Sequence, residues 1–210
     1  MAIKYEWRKK EKLVYLPKNK PEIIDVPAYQ FISIRGAGNP NSPLFSEYIG
    51  VLYSLSYAIK MTLKKLDNQP PNYVDYTVYP LEGVWDINEA AKKNFSGTIN
   101  KDDLVFKLMI RQPDFISQAF FEEMLTLVKK KKPHKFLEQV QFEKITEGKC
   151  IQMLHIGSYD REPESFQLME AFAETQNLTR RSKIHREIYL SDFRKVAEEK
   201  LKTVLRFKVD

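Results

Sequence analysis

The sequence predicts an α+β protein with antiparallel sheets, and three observations carry that prediction. Segments in which apolar residues alternate, as in strands, are interspersed with segments in which they recur every three or four positions, as in helices. Their order lacks the regular strand–helix–strand alternation that builds a parallel sheet. The 210-residue chain is 43% hydrophobic and 30% charged, which is a globular composition.

The first half of the chain contains the longest predicted helix. One apolar helix face is formed by residues at spacings of three, four and seven, which are Phe45, Tyr48, Ile49, Leu52, Ile59, Leu63 and Leu66. Proline suits the first turn of this helix, and a Pro-Pro pair ends it. The predicted elements are a charged lead-in (1–20), a strand (22–35), a helix from Ser42-Pro43 to Gln69-Pro70, strands over 73–86 and 103–111, and a short helix (88–94) between those two strands.

The second half of the chain also mixes predicted helices and strands, and its helices are shorter. A strongly amphipathic helix is predicted over 117–131, and another begins after Glu162-Pro163. The other predicted elements are strands over 137–146, 149–157, 183–190 and 203–209, and a short helix over 194–201.

A weak internal repeat predicts two pseudo-symmetric modules within one domain. In each, a strand ending in glycine (Gly36 or Gly157) leads through a loop with proline into a helix, and further strands follow. The modules span 22–112 and 138–210, and the connecting segment 113–137 carries a helix. Because duplicated halves often meet in a cleft, we expect a ligand groove.

Composition and charge exclude several classes of protein. The N-terminus lacks the apolar stretch of a signal peptide, and no apolar run approaches the length of a membrane span. Cys150 is the sole cysteine, so no internal disulfide can form, and a cytoplasmic location is expected. The net charge of +6 is modest, and the basic run Lys129–Lys132 suits a helix C-terminus, so we expect no nucleic-acid partner.

The histidines predict no metal site. His134, His155 and His185 are far apart in the sequence, without ligand spacing to Cys150 or to carboxylates. His155 lies in an apolar strand, where a hydrogen-bonded, half-buried histidine is more common than a ligand. Cys150 neighbours apolar residues and no activating cation, so we do not expect a nucleophile.

The most informative segment is 184–190. Strand alternation places His185, Glu187 and Tyr189 on one face, and mainly apolar residues on the other. If the apolar face packs on helices, the polar face looks onto the open side of the sheet. A carboxylate beside a phenol and among rings is poorly solvated, which suits a general base or a counter-ion for a cation. The alternative, a wet surface strand, is the more common case for such a pattern.

Aromatic residues are also concentrated in the predicted strand 73–86. Tyr73, Tyr79 and Trp85 fall on one face, with Tyr76 opposite. Packing across the sheet and lining of a ligand cavity explain this cluster equally well.

Several motifs together resemble the GyrI-like small-molecule-binding domain family, in its stand-alone branch. They cover nearly all of the chain from about residue 20, and one departure from the pattern is Phe193, where the family usually has proline. The motifs are His155-Ile-Gly-Ser-Tyr-Asp-Arg-Glu-Pro163, His185-Arg-Glu-Ile-Tyr-Leu-Ser-Asp192, Lys202-Thr-Val-Leu-Arg206, Tyr79-Pro-Leu-Glu-Gly-Val-Trp85 and Met109-Ile-Arg-Gln-Pro113.

The resemblance implies a curved, aromatic-lined groove with Glu187 at the position of the family's pocket glutamate. Stand-alone members look like hydrolases that detoxify cyclopropane-bearing, DNA-alkylating natural products by adding water to the ring. Glu187 would then activate water, and Tyr159 or Tyr189 would donate a proton to the developing phenolate. The other expected lining residues are Trp85, Tyr79, Tyr76, Phe120, Phe121, Met153, His155 and His185.

Ring strain supplies driving force for this reaction, so the resemblance implies neither a metal nor an organic cofactor. The expected partner is a planar hydrophobic or electrophilic small molecule. Two alternatives stay open: a non-catalytic protein that sequesters drugs or toxins, and a regulatory module that inhibits a protein such as DNA gyrase.

Overall fold

The structure is a computed structural model that describes residues 4–95 and 97–210, and it is built from helices and antiparallel strands. The α-helices are α1 (Trp7–Lys10), α2 (Lys12–Tyr15), α3 (Pro43–Leu63), α4 (Glu89–Lys93), α5 (Gln118–Lys131) and α6 (Glu162–Thr175). The strands are β1 (Glu22–Ala37), β2 (Leu81–Ile87), β3 (Leu104–Gln112), β4 (Gln141–Ile156), β5 (His185–Tyr189) and β6 (Lys202–Lys208). Short 3-10 turns cover Lys101–Asp103, Lys135–Gln139, Tyr159–Arg161 and Glu198–Lys200.

Local signals explain where the helices begin. Pro43 opens α3. The predicted apolar face is buried from Phe45 to Leu63 apart from the half-buried Ile49, whereas Leu66 lies beyond the helix and is exposed. Ser117 caps α5 by accepting a hydrogen bond from the backbone N–H of Phe120, and Asn88 caps α4 in the same way. The α+β class and the antiparallel pairing are confirmed.

Several predicted elements differ from the structure. Of the short helix predicted over 194–201, only the 3-10 turn Glu198–Lys200 forms, and α3 ends at Leu63, before the predicted end at Gln69-Pro70. The strand predicted over 73–86 begins only at Leu81, and Tyr76 makes an isolated bridge with Tyr5. The two strands predicted over 137–157 are the single strand β4, because Gly148 takes a φ of 73° within it instead of ending it. The lead-in contains α1 and α2, whose rings Trp7 and Tyr15 are buried.

The described residues form two compact units, and the first comprises 4–6, Tyr29–Tyr79 and Ile87–Ile145. In this unit β1 pairs with β3, with Ile32 opposite Ile110. Helix α3 packs against β3 and α5. The ring of Tyr48 stacks on Phe136 at 3.9 Å between centroids, so aromatic packing extends this core.

The second unit comprises Trp7–Ala28, Pro80–Asp86 and Thr146–Asp210. Its strands follow the order β2-β5-β6-β4, all antiparallel. Helix α6 packs Met169 and Ala173 onto one face of this sheet. The strand residues in that apolar cluster are Ile151, Met153, Leu205 and Phe207.

A buried network of charges occupies the other face of the same sheet. Arg206 donates from Nη1 to Glu147 Oε2 at 2.7 Å and from Nη2 to the backbone carbonyl of Val14 at 2.7 Å. Arg186 pairs with Glu147 at 3.0 Å and with Glu82 at 2.6 Å. The two arginines and two glutamates neutralise one another, and the bond to Val14 ties α2 to the sheet.

The internal repeat, with 22–112 matched to 138–210, stays a prediction. Among the described helices, none is long and apolar enough to cross a membrane.

Candidate functional site

The polar face of β5 faces a helix, not the open side of the sheet. His185, Glu187 and Tyr189 do share one face, as predicted. Glu187 lies opposite Leu205 in the β5–β6 ladder, so its side chain is on the face that α6 covers. Only 8% of Glu187 is exposed, so β5 is not a surface strand whose polar side chains are solvated. The expectation of an open face was wrong because Arg186, between these residues, joins the charge network on the other side.

Hydrogen bonds from two aromatic side chains orient the Glu187 carboxylate. The Tyr189 hydroxyl donates to Glu187 Oε2 at 2.7 Å, and Trp85 Nε1 donates to the Tyr189 oxygen at 2.8 Å. Burial, and then the neighbouring charge of Glu187, raise the pKa of Tyr189. This phenol is therefore neutral, and its O–H group donates a hydrogen bond to Glu187.

His185 approaches the other oxygen of the same carboxylate. Its Nε2 lies 3.1 Å from Glu187 Oε1, and its Nδ1 lies 3.2 Å from the backbone carbonyl of Lys183. Both ring nitrogens thus lie near oxygen atoms, and the tautomer protonated at Nε2 donates to the carboxylate. The ring of Phe166, from α6, packs edge-on against the imidazole at 4.7 Å.

Glu162 is the site residue that the sequence analysis missed. It is the first residue of α6, only 6% exposed, and one of its carboxyl oxygens lies within 4.8 Å of a Glu187 oxygen. Burial, then Glu187, then Asp160 raise its pKa well above the usual range for glutamate. The sequence signal was present, but Glu162-Pro163 was used only to mark a helix start.

Tyr159 is the second tyrosine near Glu187, and the hydrogen bonds described above do not involve its hydroxyl group. Its ring stands perpendicular to that of Tyr189 at 6.1 Å between centroids. Burial and then the charges of Glu187 and Glu162 raise its pKa, so it is a neutral phenol. Its hydroxyl donates no hydrogen bond to the described residues, unlike that of Tyr189. Of the two candidate acids, Tyr159 is therefore the better placed to donate.

Two other expected lining residues in this unit are engaged elsewhere. Both ring nitrogens of His155 are hydrogen-bonded, to Ser165 Oγ at 2.9 Å and to the Ser158 carbonyl at 2.9 Å. The histidine is hydrogen-bonded, as considered from sequence, but it is buried and not half-buried. Met153 lies in the apolar cluster beneath α6. Nothing in the surroundings of His155 or of Met153 indicates contact with a ligand.

The remaining expected lining residues belong to the first unit. The guanidinium of Arg111 lies over the ring of Tyr79 at 4.6 Å. Tyr76 is buried against Phe115, at 6.0 Å between ring centroids. Phe121 stacks on Phe142 at 5.1 Å, and Phe120, on the same helix, is half-buried. Their role in ligand binding stays a prediction.

Tertiary structure brings together one set of side chains that could hold a metal ion. In the described part of the chain, ligand atoms of Glu162, His185 and Glu187 all lie within 4.8 Å of one another. Sequence spacing did not predict this set. His185 Nε2 is close enough to Glu187 Oε1, at 3.1 Å, to donate a hydrogen bond to it, so that part of the close approach needs no ion.

Cys150 is expected to be dispensable for any reaction at this site. It is fully buried in β4, and burial, with the charge of Glu147, raises the pKa of its thiol to about 11. Since the thiolate is the nucleophile, Cys150→Ser should retain turnover. Loss of turnover in a variant that circular dichroism shows to be folded would contradict this expectation.

Comparison with known proteins finds relatives in sequence and in structure. A family model of the GyrI-like small molecule binding domain matches residues 19–210. A crystal structure of a hydrolase from Listeria innocua is 34% identical, with a TM-score of 0.87 over 99% of this chain and 100% of that one. An uncharacterized conserved protein from the same organism is 35% identical, with the same TM-score and coverage.

A more distant structure shows only the shared fold. The EcmrR C-terminal domain is 13% identical, with a TM-score of 0.52 over 91% of this chain and 97% of that one. No significant match to the chain is found among curated proteins.

Proposed function

The chain belongs to the GyrI-like small molecule binding domain family, and we propose that it hydrolyses a flat, electrophilic small molecule at Glu187. The observation that carries the proposal is a buried carboxylate held from both sides, by Tyr189 and by His185, beside aromatic rings. Such a group is oriented before substrate arrives, as a general base requires. The similarity to a Listeria innocua hydrolase supports an enzyme.

The substrate class that suits this site is a dienone carrying a fused cyclopropane, as in certain DNA-alkylating natural products. Glu187 takes a proton from water while the water oxygen bonds to a cyclopropane carbon. The strained carbon–carbon bond breaks, and its electron pair moves through the conjugated ring to the carbonyl oxygen. Tyr159 donates a hydrogen bond to that oxygen as it becomes a phenolate. Glu187 then releases its proton to solvent, and the phenolate takes one up from solvent. The net change is the addition of one water, which would detoxify the alkylator.

The aromatic rings near Glu187 give such a substrate a surface on which to bind. Trp85, Tyr159 and Tyr189 gather beside the carboxylate within the second unit. Offset or edge-on contacts between rings favour a planar ligand, and they place no demand on its charge. The site would thus select a molecule by its shape and then act on its strained ring.

Mass spectrometry tests the proposal directly. We expect the protein, incubated with a large molar excess of a cyclopropane-bearing dienone, to convert all of it to a product heavier by one water. Complete conversion requires repeated turnover. A control reaction without protein gives the background rate, because such ring systems also open slowly in solution.

Non-catalytic sequestration is the second candidate function, favoured by the presence of two carboxyl groups, Glu162 and Glu187, in one buried site. An anionic site of this kind can hold a cationic ligand by charge attraction. Sequestration would remove about one molar equivalent of ligand and leave its mass unchanged. That result would contradict the hydrolase proposal.

A further inference from the structure

Two glutamate carboxyl groups meet in a buried site, where ionising both is opposed by burial and by their mutual repulsion. Glu162 and Glu187 are 6% and 8% exposed. The influences acting on the Glu162 carboxyl, which are burial, Glu187 and Asp160, all raise its pKa. The N-terminus of α6 favours a negative charge there, but that effect is smaller than the combined penalty of burial and like charge.

The oxygens of the two carboxyl groups are used unequally. Glu187 accepts from Tyr189 at Oε2, and its Oε1 faces His185 Nε2. Glu162 Oε1 is buried without a hydrogen-bond partner, and an oxygen of the same carboxyl group lies within 4.8 Å of an oxygen of Glu187. An unpartnered buried oxygen is much more costly on an anion than on a neutral acid. The carboxyl group of Glu162 is therefore the one suited to carry a proton.

We propose that Glu162 and Glu187 share one proton at neutral pH, that Glu162 holds it, and that Glu162 donates it in a hydrogen bond to the Glu187 carboxylate. Glu162 is thus a positioning residue that acts through Glu187. The shared proton rests on the burial of both carboxyl groups and on the approach of their oxygens to within 4.8 Å, whereas its use in water activation rests on the hydrolase function proposed above.

Several titratable groups surround this pair. The 3-10 turn before α6 and strand β5 both pack against it. These groups are Tyr159 and Asp160 from the turn, and His185 and Tyr189 from β5. Since the two phenols are neutral, only His185 could add positive charge, and it faces Glu187 Oε1.

The shared proton would serve the reaction in two ways. A neutral Glu162 fixes the Glu187 carboxylate without repelling it, and it prevents the pair from taking up a metal ion or a second proton in the resting state. When Glu187 accepts a proton from water, the pair holds two protons, and one returns to solvent as product leaves. No oxidant or cofactor enters this balance.

The dependence of stability on pH tests the shared proton without any substrate. A raised pKa in the folded state means that stability falls as pH rises from the usual glutamate pKa, about 4.3, through the higher folded value. Glu162→Gln mimics the protonated acid and lacks this loss. Near pH 4.3, about the usual glutamate pKa, we expect the variant and the wild type to melt at similar temperatures. As the pH rises above that value, the melting temperature of the variant should exceed that of the wild type by a growing margin.

Glu164→Gln is the matched control. Glu164 lies in the same turn of α6 but is exposed, and its pKa is lowered by the hydrogen bond from Arg161. Its substitution should produce no advantage that grows with pH. A Glu162→Gln variant that loses stability increasingly as pH rises would show that Glu162 is ionised in the fold, and would overturn the proposal.

Two further measurements distinguish a shared proton from a bound metal ion and from a role in folding alone. In an active enzyme, Glu162→Gln should remove the basic limb of the pH–rate profile while Glu164→Gln keeps it. If zinc or manganese chloride raises the melting temperature of the wild type but not that of Glu162→Gln, the pair binds a metal ion and the proton proposal fails. If turnover is absent but the stability pattern appears, the shared proton stands and only the hydrolase function falls.

Discussion

Replacing Glu187 by glutamine is expected to lower the rate of water addition by about 10²- to 10⁴-fold, the usual contribution of a general base. The amide keeps the shape of the side chain, and its oxygen can still accept the hydrogen bond from Tyr189. The fold should therefore survive, and the loss should appear in turnover. Binding of a neutral planar ligand, measured by fluorescence quenching, should change little.

Binding of a cationic dye distinguishes a role of Glu187 as a counter-ion from a role as a general base. If the residue serves as a counter-ion, Glu187→Gln should weaken binding of a cationic dye and leave neutral ligands unaffected. Glu164→Gln, an exposed carboxylate on the adjoining helix, provides the control and should behave like the wild type. An unchanged rate together with unchanged dye affinity would remove Glu187 from the site, and most of the mechanism with it.

Replacing Arg206 by methionine is expected to cost about 3–5 kcal/mol of folding free energy, as is typical when one partner of a buried ion pair is lost. Only 1% of Arg206 is exposed, and its guanidinium bonds Glu147, Gln152 and the carbonyl of Val14. Its removal leaves Glu147 with Arg186 as its remaining cation, and it removes the Arg206 donors from Gln152 Oε1 and from the Val14 carbonyl. For a chain of this size the melting temperature should fall by about 6–20 °C.

Arg181→Met is the matched substitution for this test. Arg181 is about half exposed, and its ion pair with Asp210 is at the surface. Such pairs contribute about 0–1 kcal/mol, so the change in melting temperature should be small. If the two variants melted alike, the buried network would not be holding the sheet to α2.

Acid should weaken the same network in the wild type. Burial opposes ionisation of Glu147, but the charges of Arg186 and Arg206 outweigh it and lower the pKa of Glu147. Its stabilising contribution is therefore present above the usual glutamate pKa and is lost as pH falls through the lower folded value. This is opposite in sign to the dependence expected for Glu162, so the two sites can be distinguished in one titration.

Most elements of this protein could be predicted from local sequence. The apolar spacing in α3 and α5 and the alternation in β1 and β3 are patterns of a few neighbouring residues, and the structure confirms them. The predictions failed where the same local sequence pattern is compatible with two different structures. Gly148 could have ended a strand or, as it does, accommodated a positive φ within one.

By itself the sequence determined that His185, Glu187 and Tyr189 share a face, because strand alternation is a local property with a period of two. Only the tertiary structure decided which way that face points, because the register of β5 with β6 and the packing of α6 join residues distant in the chain. It also brought Glu162 to Glu187. A helix start and a strand centre 25 positions apart carry no mutual signal in a single sequence, so their meeting depends on packing alone.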